Sequence, residues 1–182
     1  NTMPSSPFST PLKLQPRPTR GMRNAMHAST METLTGDQGA QGTHMDALGH
    51  FGAVSNTWDG SGEFPVDEAR YYGGFRQAEV KPDPQAMLLK LGIDKVPPII
   101  TSAVLLDARA HLGGGKTLAA GTVIGARDIE AMLGAQGLAQ RGILPGDVLY
   151  IHTGWGEHWI DPEPEKRYYS EGPGLGYDAA QY

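Results

Sequence analysis

The sequence predicts an α/β domain built on a mixed sheet, with α+β as the alternative arrangement. Three observations point there. Residues 99–106 (Ile-Ile-Thr-Ser-Ala-Val-Leu-Leu) and 148–153 (Val-Leu-Tyr-Ile-His-Thr) are short, largely apolar runs with the pattern of buried strands. Between them, residues 127–140 set Ile129, Met132, Leu133 and Leu138 on one side of a helix. Finally, 25 glycines and 14 prolines commit much of the remaining length to turns and loops.

The chain's 182 residues fit one domain, or part of a larger one. Apolar residues make up 39% and charged residues 19%, a balance that supports a folded core and excludes wholesale disorder. A formal net charge of −5 offers no general attraction to nucleic acid or to an anionic membrane. No apolar run approaches the roughly 20 residues needed to cross a bilayer, and the amino-terminal stretch lacks the apolar segment of a secretory signal. The expected location is the cytoplasm. With no cysteine, a disulfide framework and a thiolate metal site are both excluded, so any metal must take nitrogen and oxygen ligands.

Residues 1–23 are rich in Pro, Ser and Thr and carry Lys13, Arg17, Arg20 and Arg23. They read as an extended arm, lying over the body or over a partner subunit, or else as a loose terminus. Residues 24–182 form the domain proper. Residues 25–34 read as a strand, with His27 packed or on the surface rather than a ligand. Glycines from Gly36 to Gly42 then give a flexible approach. Gln41, at the end of this approach, carries an amide oxygen that could serve as a weak ligand, though no spacing demands it.

The stretch that follows is the chemically informative one: Gly42-Thr43-His44-Met45-Asp46-Ala47-Leu48-Gly49-His50-Phe51. In an extended segment His44 and Asp46 point to the same side, because side chains alternate with a period of two. An imidazole and a carboxylate facing together supply two of the three protein ligands of a common hydrolytic metal site. His50 follows Asp46 by four residues, one helical turn if the chain coils there. An imidazole in that place suits proton transfer near neutral pH. The competing reading is a surface turn with two solvated histidines.

This stretch resembles the signature of the cyclase family of metal-dependent hydrolases, H-x-G-T-H-x-D-x-P-x-H, a family that includes bacterial kynurenine formamidases and isatin hydrolases. The resemblance implies that His44 and Asp46 bind a divalent metal, Zn or else Mn, and that His50 is the catalytic acid/base. Two positions depart from the pattern. Its first histidine falls on Ala40, so one implied ligand is missing, and its proline falls on Leu48, where a backbone-shaping residue rather than a ligand is lost.

Beyond the signature, Trp58-Asp59-Gly60-Ser61-Gly62 and Tyr71-Tyr72-Gly73-Gly74 read as loops whose aromatics either wall a pocket or cap the core. Residues 82–91 read as a short helix, with proline near its start, Gly92 after its end, and Met87, Leu88 and Leu91 on its buried face. The nearly continuous apolar run at 99–106 suggests a central strand covered on both faces. His111-Leu112-Gly113-Gly114-Gly115-Lys116-Thr117 looks like a phosphate loop only superficially, since Ala110 stands where the first glycine is needed, and it reads as a surface turn. Gly121-Thr122-Val123-Ile124 is a short strand or turn before the helix at 127–140. Pro145-Gly146-Asp147 is a turn into the second buried strand. His152 on that strand reads as a satisfied structural histidine.

Residues 146–155, from Gly-Asp-Val-Leu to Thr-Gly-Trp, again resemble the cyclase family, where a strand ends in T-G-W near the active site. Residues 157–171 hold Glu157, Asp161, Glu163, Glu165 and Glu171 without the spacing of a calcium loop, and read as solvated. Tyr177-Asp178-Ala179-Ala180-Gln181-Tyr182 begins a helix. The family's remaining ligands, a histidine and a Glu or Gln, arise further downstream, so the resemblance implies a swivelling β/β/α domain that is incomplete at its carboxyl end. The implied activity is hydrolysis of an amide, formamide or lactam C–N bond, arylformamidase-like, on a small-molecule substrate, in a homo-oligomer with no nucleic acid or membrane partner. The alternative is a non-catalytic ligand-binding or interaction domain descended from such an enzyme, which the loss at Ala40 motivates.

Overall fold

A computed structural model describes residues 11–21, 23–24, 26, 28–36, 42–160 and 167–182. The expectations about His27, Ala40, Gln41, Asp161, Glu163 and Glu165 fall outside those residues. The chain divides into two compact units, one formed by Asn1–Thr43 with Ile100–Tyr182 and the other by His44–Ile99.

The first unit carries the hydrophobic core. Two antiparallel pairs come from its amino-terminal part: β1 (Lys13–Pro16) with β4 (Glu32–Thr35), and β2 (Arg20–Gly21) with β3 (Ala28–Ser29). The Arg17 amide donates to the Met31 carbonyl at 2.9 Å and its Nε to Thr33 Oγ1 at 3.0 Å, which extends the first ladder past the end of β1. Part of the stretch read as an arm is therefore a strand with its own partner.

Two parallel pairs follow. β5 (Ala103–Leu106) runs beside β7 (Val148–Ile151), in the register Ala103 to Val148 through Leu106 to Ile151. β6 (Val123–Ile124) runs beside β8 (Gly174–Leu175). Parallel neighbours need a crossover, and the one between β5 and β7 contains α2 (Ala108–His111) and α3 (Ala126–Ala135). With α4 (Arg167–Ser170) and α5 (Tyr177–Gln181), the unit is α/β with parallel and antiparallel pairing both present.

α3 forms where the helical period places Ile129, Met132 and Leu133 on one face, and all three are buried. Its first turn is held from two directions. Asp128 Oδ2 accepts from the Gly125 amide at 2.8 Å, and Asp178 Oδ2, from the first turn of α5, accepts from the Ala126 amide at 2.9 Å. The helix stops at Ala135, short of the expected 140, because Gly137 takes the left-handed conformation at φ 71°. The face of α3 packs with Val104, Leu106, Ala108, Leu118, Ile124 and Ala179 into one cluster.

The strand expected at 99–106 differs from the expectation of cover on both faces. β5 alternates, with Val104 and Leu106 buried while Ala103 and Leu105 are exposed, so it is a strand with one core face. β7 is likewise half-buried rather than buried. Ile99 and Ile100 precede the strand and are exposed. An unbroken apolar run fixes a strand here but not the number of its covered faces.

An ion pair pins the turn into β7. The Asp147 side chain is only 2% exposed, and Arg141 grips it with Nη1 to Oδ2 at 2.8 Å and Nη2 to Oδ1 at 2.9 Å. The Leu144 amide donates to Oδ2 at 2.8 Å and the Ser102 hydroxyl to Oδ1. The Arg141 guanidinium first, then Ser102 and Leu144, hold the Asp147 carboxyl far below its ordinary value of 3.8. A depressed carboxyl stabilises the fold in full above its ordinary range and loses that contribution as pH falls toward the folded value. Asp147→Asn is therefore expected to lower the melting temperature by several degrees at pH 7, with the gap to the parent closing below about pH 4. Melting curves from pH 7 to pH 2 check this, and a gap constant over that range would contradict it.

The second unit, His44–Ile99, is loop-rich. Its one α-helical segment among the described residues is α1 (Gln77–Val80), with Val80 buried. The helix expected at 82–91 is absent. Asp83 Oδ1 accepts from the Gln85 amide at 2.8 Å and the Asp83 carbonyl from the Ala86 amide at 3.0 Å, so the aspartate makes a local turn instead. The Leu89 amide returns to the Val80 carbonyl at 2.8 Å, Leu91 sits at φ 60°, and Met87 is exposed rather than buried.

Candidate functional site

The signature residues His44, Asp46 and His50 all lie in the second unit. Two backbone hydrogen bonds fold the loop that carries them: the His50 amide donates to the Ala47 carbonyl at 2.9 Å, and the Gly49 amide to the Leu91 carbonyl at 3.1 Å. Gly49 is buried, and a Cβ there would sit 3.1 Å from Leu88 Cδ1 and 3.3 Å from Leu91 Cβ. Glycine at this position lets the loop sit tight against residues 88–91, with His50 outward on the next residue.

The backbone from His44 to Ala47 has no regular structure, and His44 Nε2 lies 3.3 Å from Asp46 Oδ1. The same-side placement inferred from a period of two is what the structure has. Both side chains remain open to solvent, 40% and 48% exposed. That separation suits a hydrogen bond. It also suits two donors on one tetrahedral ion, for which ligand bonds of about 2.0–2.1 Å set neighbouring donors roughly 3.3–3.4 Å apart. The nitrogen and oxygen donors thus fit a divalent metal in type and spacing. Among the described residues no three His, Asp or Glu groups come close enough to hold an ion, so His50 does not complete a ligand cluster. Its ring packs edge-on against Phe51, with centroids 4.4 Å apart.

The aromatic loops of this unit are braced locally. Trp58 stacks edge-on with Phe64 at 5.5 Å and donates its indole N–H to the Ser61 carbonyl at 2.9 Å. Tyr71 is half-buried and hydrogen-bonded to Gln77 Oε1 at 2.5 Å, while Tyr72 is exposed.

The first unit holds a second group of polar side chains, at the carboxyl ends of β5 and β7. His152 Nδ1 lies 3.2 Å from Asp107 Oδ1, and the same oxygen accepts from the Ala110 amide at 2.9 Å as the N-cap of α2. The Ala110 amide first, then the His152 imidazole, hold the Asp107 carboxyl below its ordinary value. Arg109 Nη2 pairs with Glu157 Oε1 at 2.9 Å, and the Thr117 hydroxyl donates to Glu157 Oε2 at 2.6 Å. Glu157, read from sequence as solvated, is engaged by both, and its carboxyl is lowered by the Thr117 hydroxyl first. Gly154 makes the corner at φ 79°, where a Cβ would fall 2.9 Å from Thr117 Cα. Sequence reasoning placed His152 on its strand but missed its partner. The available signal was Asp107, which directly follows one strand as His152 directly follows its parallel neighbour.

The chain has an α/β unit and, in its other unit, a His–Asp pair on an exposed loop. The family model described as "Putative cyclase" matches residues 3–182, and the chain belongs to that family. A crystal structure described as that of a novel cyclase superposes over 96% of this chain and 54% of the other, with a TM-score of 0.67 and 24% sequence identity. That likeness shows the shared fold, and the chain spans about half the length of the solved one. No curated protein matches. Among the described residues, no helix is long and apolar enough to cross a membrane.

Proposed function

We propose that the chain serves a metal-dependent hydrolase acting on an amide, formamide or lactam C–N bond, in the manner of an arylformamidase. The observation that carries this reading is the convergence of His44 Nε2 and Asp46 Oδ1 at 3.3 Å on an exposed loop of a cyclase-family chain. These two side chains would hold the ion, with Zn favoured by the mixed nitrogen and oxygen donors and Mn the other choice. When bound, such an ion polarises a carbonyl and makes water more acidic. His50 then has the proton to move: its imidazole accepts one from the attacking water and returns it to the departing nitrogen. The solvent-facing position of His50, fixed by the Gly49 and His50 amides, suits a group that must meet a substrate.

The donor count favours a second reading, a non-catalytic ligand-binding domain of the same descent, because the described residues supply two donors where such sites use three. A substrate screen separates the two. Formamides, lactams and anilides are offered to the protein with Zn or Mn added. The hydrolase reading expects turnover that a chelator abolishes and re-added metal restores, whereas no turnover with either metal would leave the binding reading in its place.

A further inference from the structure

We infer that Asp107 and His152 form a second acid–base centre, independent of metal, that hydrolyses small activated esters in the cavity beside them. The cavity measures about 430 Å³, within the size range of small-molecule sites, and is lined by Arg109, Ile151, His152, Trp155 and Glu157 among others. Three features of its wall belong together chemically. The first is an oriented imidazole. Nδ1 faces Asp107 Oδ1 at 3.2 Å, which places the ring proton on that side and leaves Nε2 as a proton acceptor without a partner among the described residues. The second is positive charge from Arg109, whose Nε is tied to the Gly115 carbonyl at 2.9 Å and Nη2 to Glu157, while Nη1 has no partner among the described residues. The third is an apolar surface from Ile151 and Trp155. Base, cation and apolar wall are the parts that acyl transfer to water uses.

The geometry is also well supported. The Arg109 amide donates to the His152 carbonyl at 2.8 Å and the His152 amide to the Leu106 carbonyl at 2.8 Å, so backbone ladders fix both residues. Asp107 is held by its capping bond to Ala110. In the reaction, His152 Nε2 takes a proton from water as the water oxygen bonds to the acyl carbon. The bond from that carbon to the aryl oxygen breaks, and the imidazolium returns its proton to the departing aryloxide. The products are a carboxylic acid and a phenol, with no change of oxidation state. Asp107 stabilises the transient imidazolium and acts as a positioning residue. Arg109 supplies charge toward the developing oxyanion.

The test uses 4-nitrophenyl acetate as probe, with a chelator present throughout so that no metal-dependent activity contributes. The expected result is saturable hydrolysis that falls by about 100-fold or more in His152→Ala. Asp107→Asn retains the α2 cap and both hydrogen bonds, since asparagine is an equally good N-cap, and removes only the charge. It is expected to lower kcat roughly fivefold at unchanged KM, the worth of one nearby charge in water. His111→Ala removes an exposed side chain that makes none of these contacts and keeps the amide that donates to the Asp107 carbonyl at 3.1 Å, so it is expected to keep the parent rate. If His152→Ala fails to fold, His152→Gln replaces it with the same expectation. Hydrolysis that is not saturable, that falls equally in His111→Ala, or that survives His152→Ala or His152→Gln overturns the inference. Absence of metal-dependent turnover by the parent in the substrate screen, by contrast, bears on His44, Asp46 and His50 and leaves this inference standing.

Discussion

Replacing His50 by alanine is expected to lower kcat by about 10²–10⁴-fold while leaving the metal content of the protein near that of the parent. The expectation follows from what holds the residue. The loop is fixed by main-chain bonds, the His50 amide to the Ala47 carbonyl and the Gly49 amide to the Leu91 carbonyl, and an alanine keeps both. The ring itself touches Phe51 and is exposed, so removing it takes away little packing. Under the proposed function, what the substitution removes is the proton carrier. A histidine needed only for packing would instead show lowered stability with normal turnover per folded molecule. If His50→Ala lost metal as completely as His44→Ala, His50 would be a ligand and its assigned role would be wrong.

Leu106→Ala is expected to destabilise the protein by about 2–5 kcal/mol. Leu106 is fully buried on the core face of β5, in one cluster with Ile129 and Met132 of α3. Deleting the isopropyl end of its side chain removes transfer energy and leaves a cavity that a strand paired along its whole length to β7 collapses into poorly. The neighbouring Leu105, 58% exposed on the same strand, provides the control, and Leu105→Ala should change stability by about 0.5 kcal/mol or less. Denaturant titration of both variants checks this, as a shift in midpoint at constant slope. Equal losses at the two positions would show that β5 is covered on both faces after all.

That last comparison shows where the sequence was legible. The helix Ala126–Ala135 could be read because Ile129, Met132 and Leu133 repeat at helical spacing, but its end could not, since the expected stop was Arg141-Gly142 and the left-handed Gly137 ends it sooner. Strands β5 and β7 could be read from their apolar runs, but the burial of alternate residues only along β5 could not, since Leu105 and Leu106 are the same residue type with opposite surroundings. The expected helix at 82–91 was lost to a local competition: the Asp83 side chain captures an amide that a helix would need. Facing of His44 and Asp46 followed from the period of two in an extended segment, because it concerns residues two apart. The Asp107–His152 pair was not legible. Its members lie far apart in sequence and meet only through the parallel register of β5 and β7.

The most direct test of the metal reading is the metal content of the purified protein, measured by elemental analysis for the parent, His44→Ala and Asp46→Ala after equilibration with Zn or Mn. Paired donors 3.3 Å apart predict bound metal in the parent and a large loss in each variant, partly recovered at high metal concentration. Equal metal content in all three proteins would contradict it.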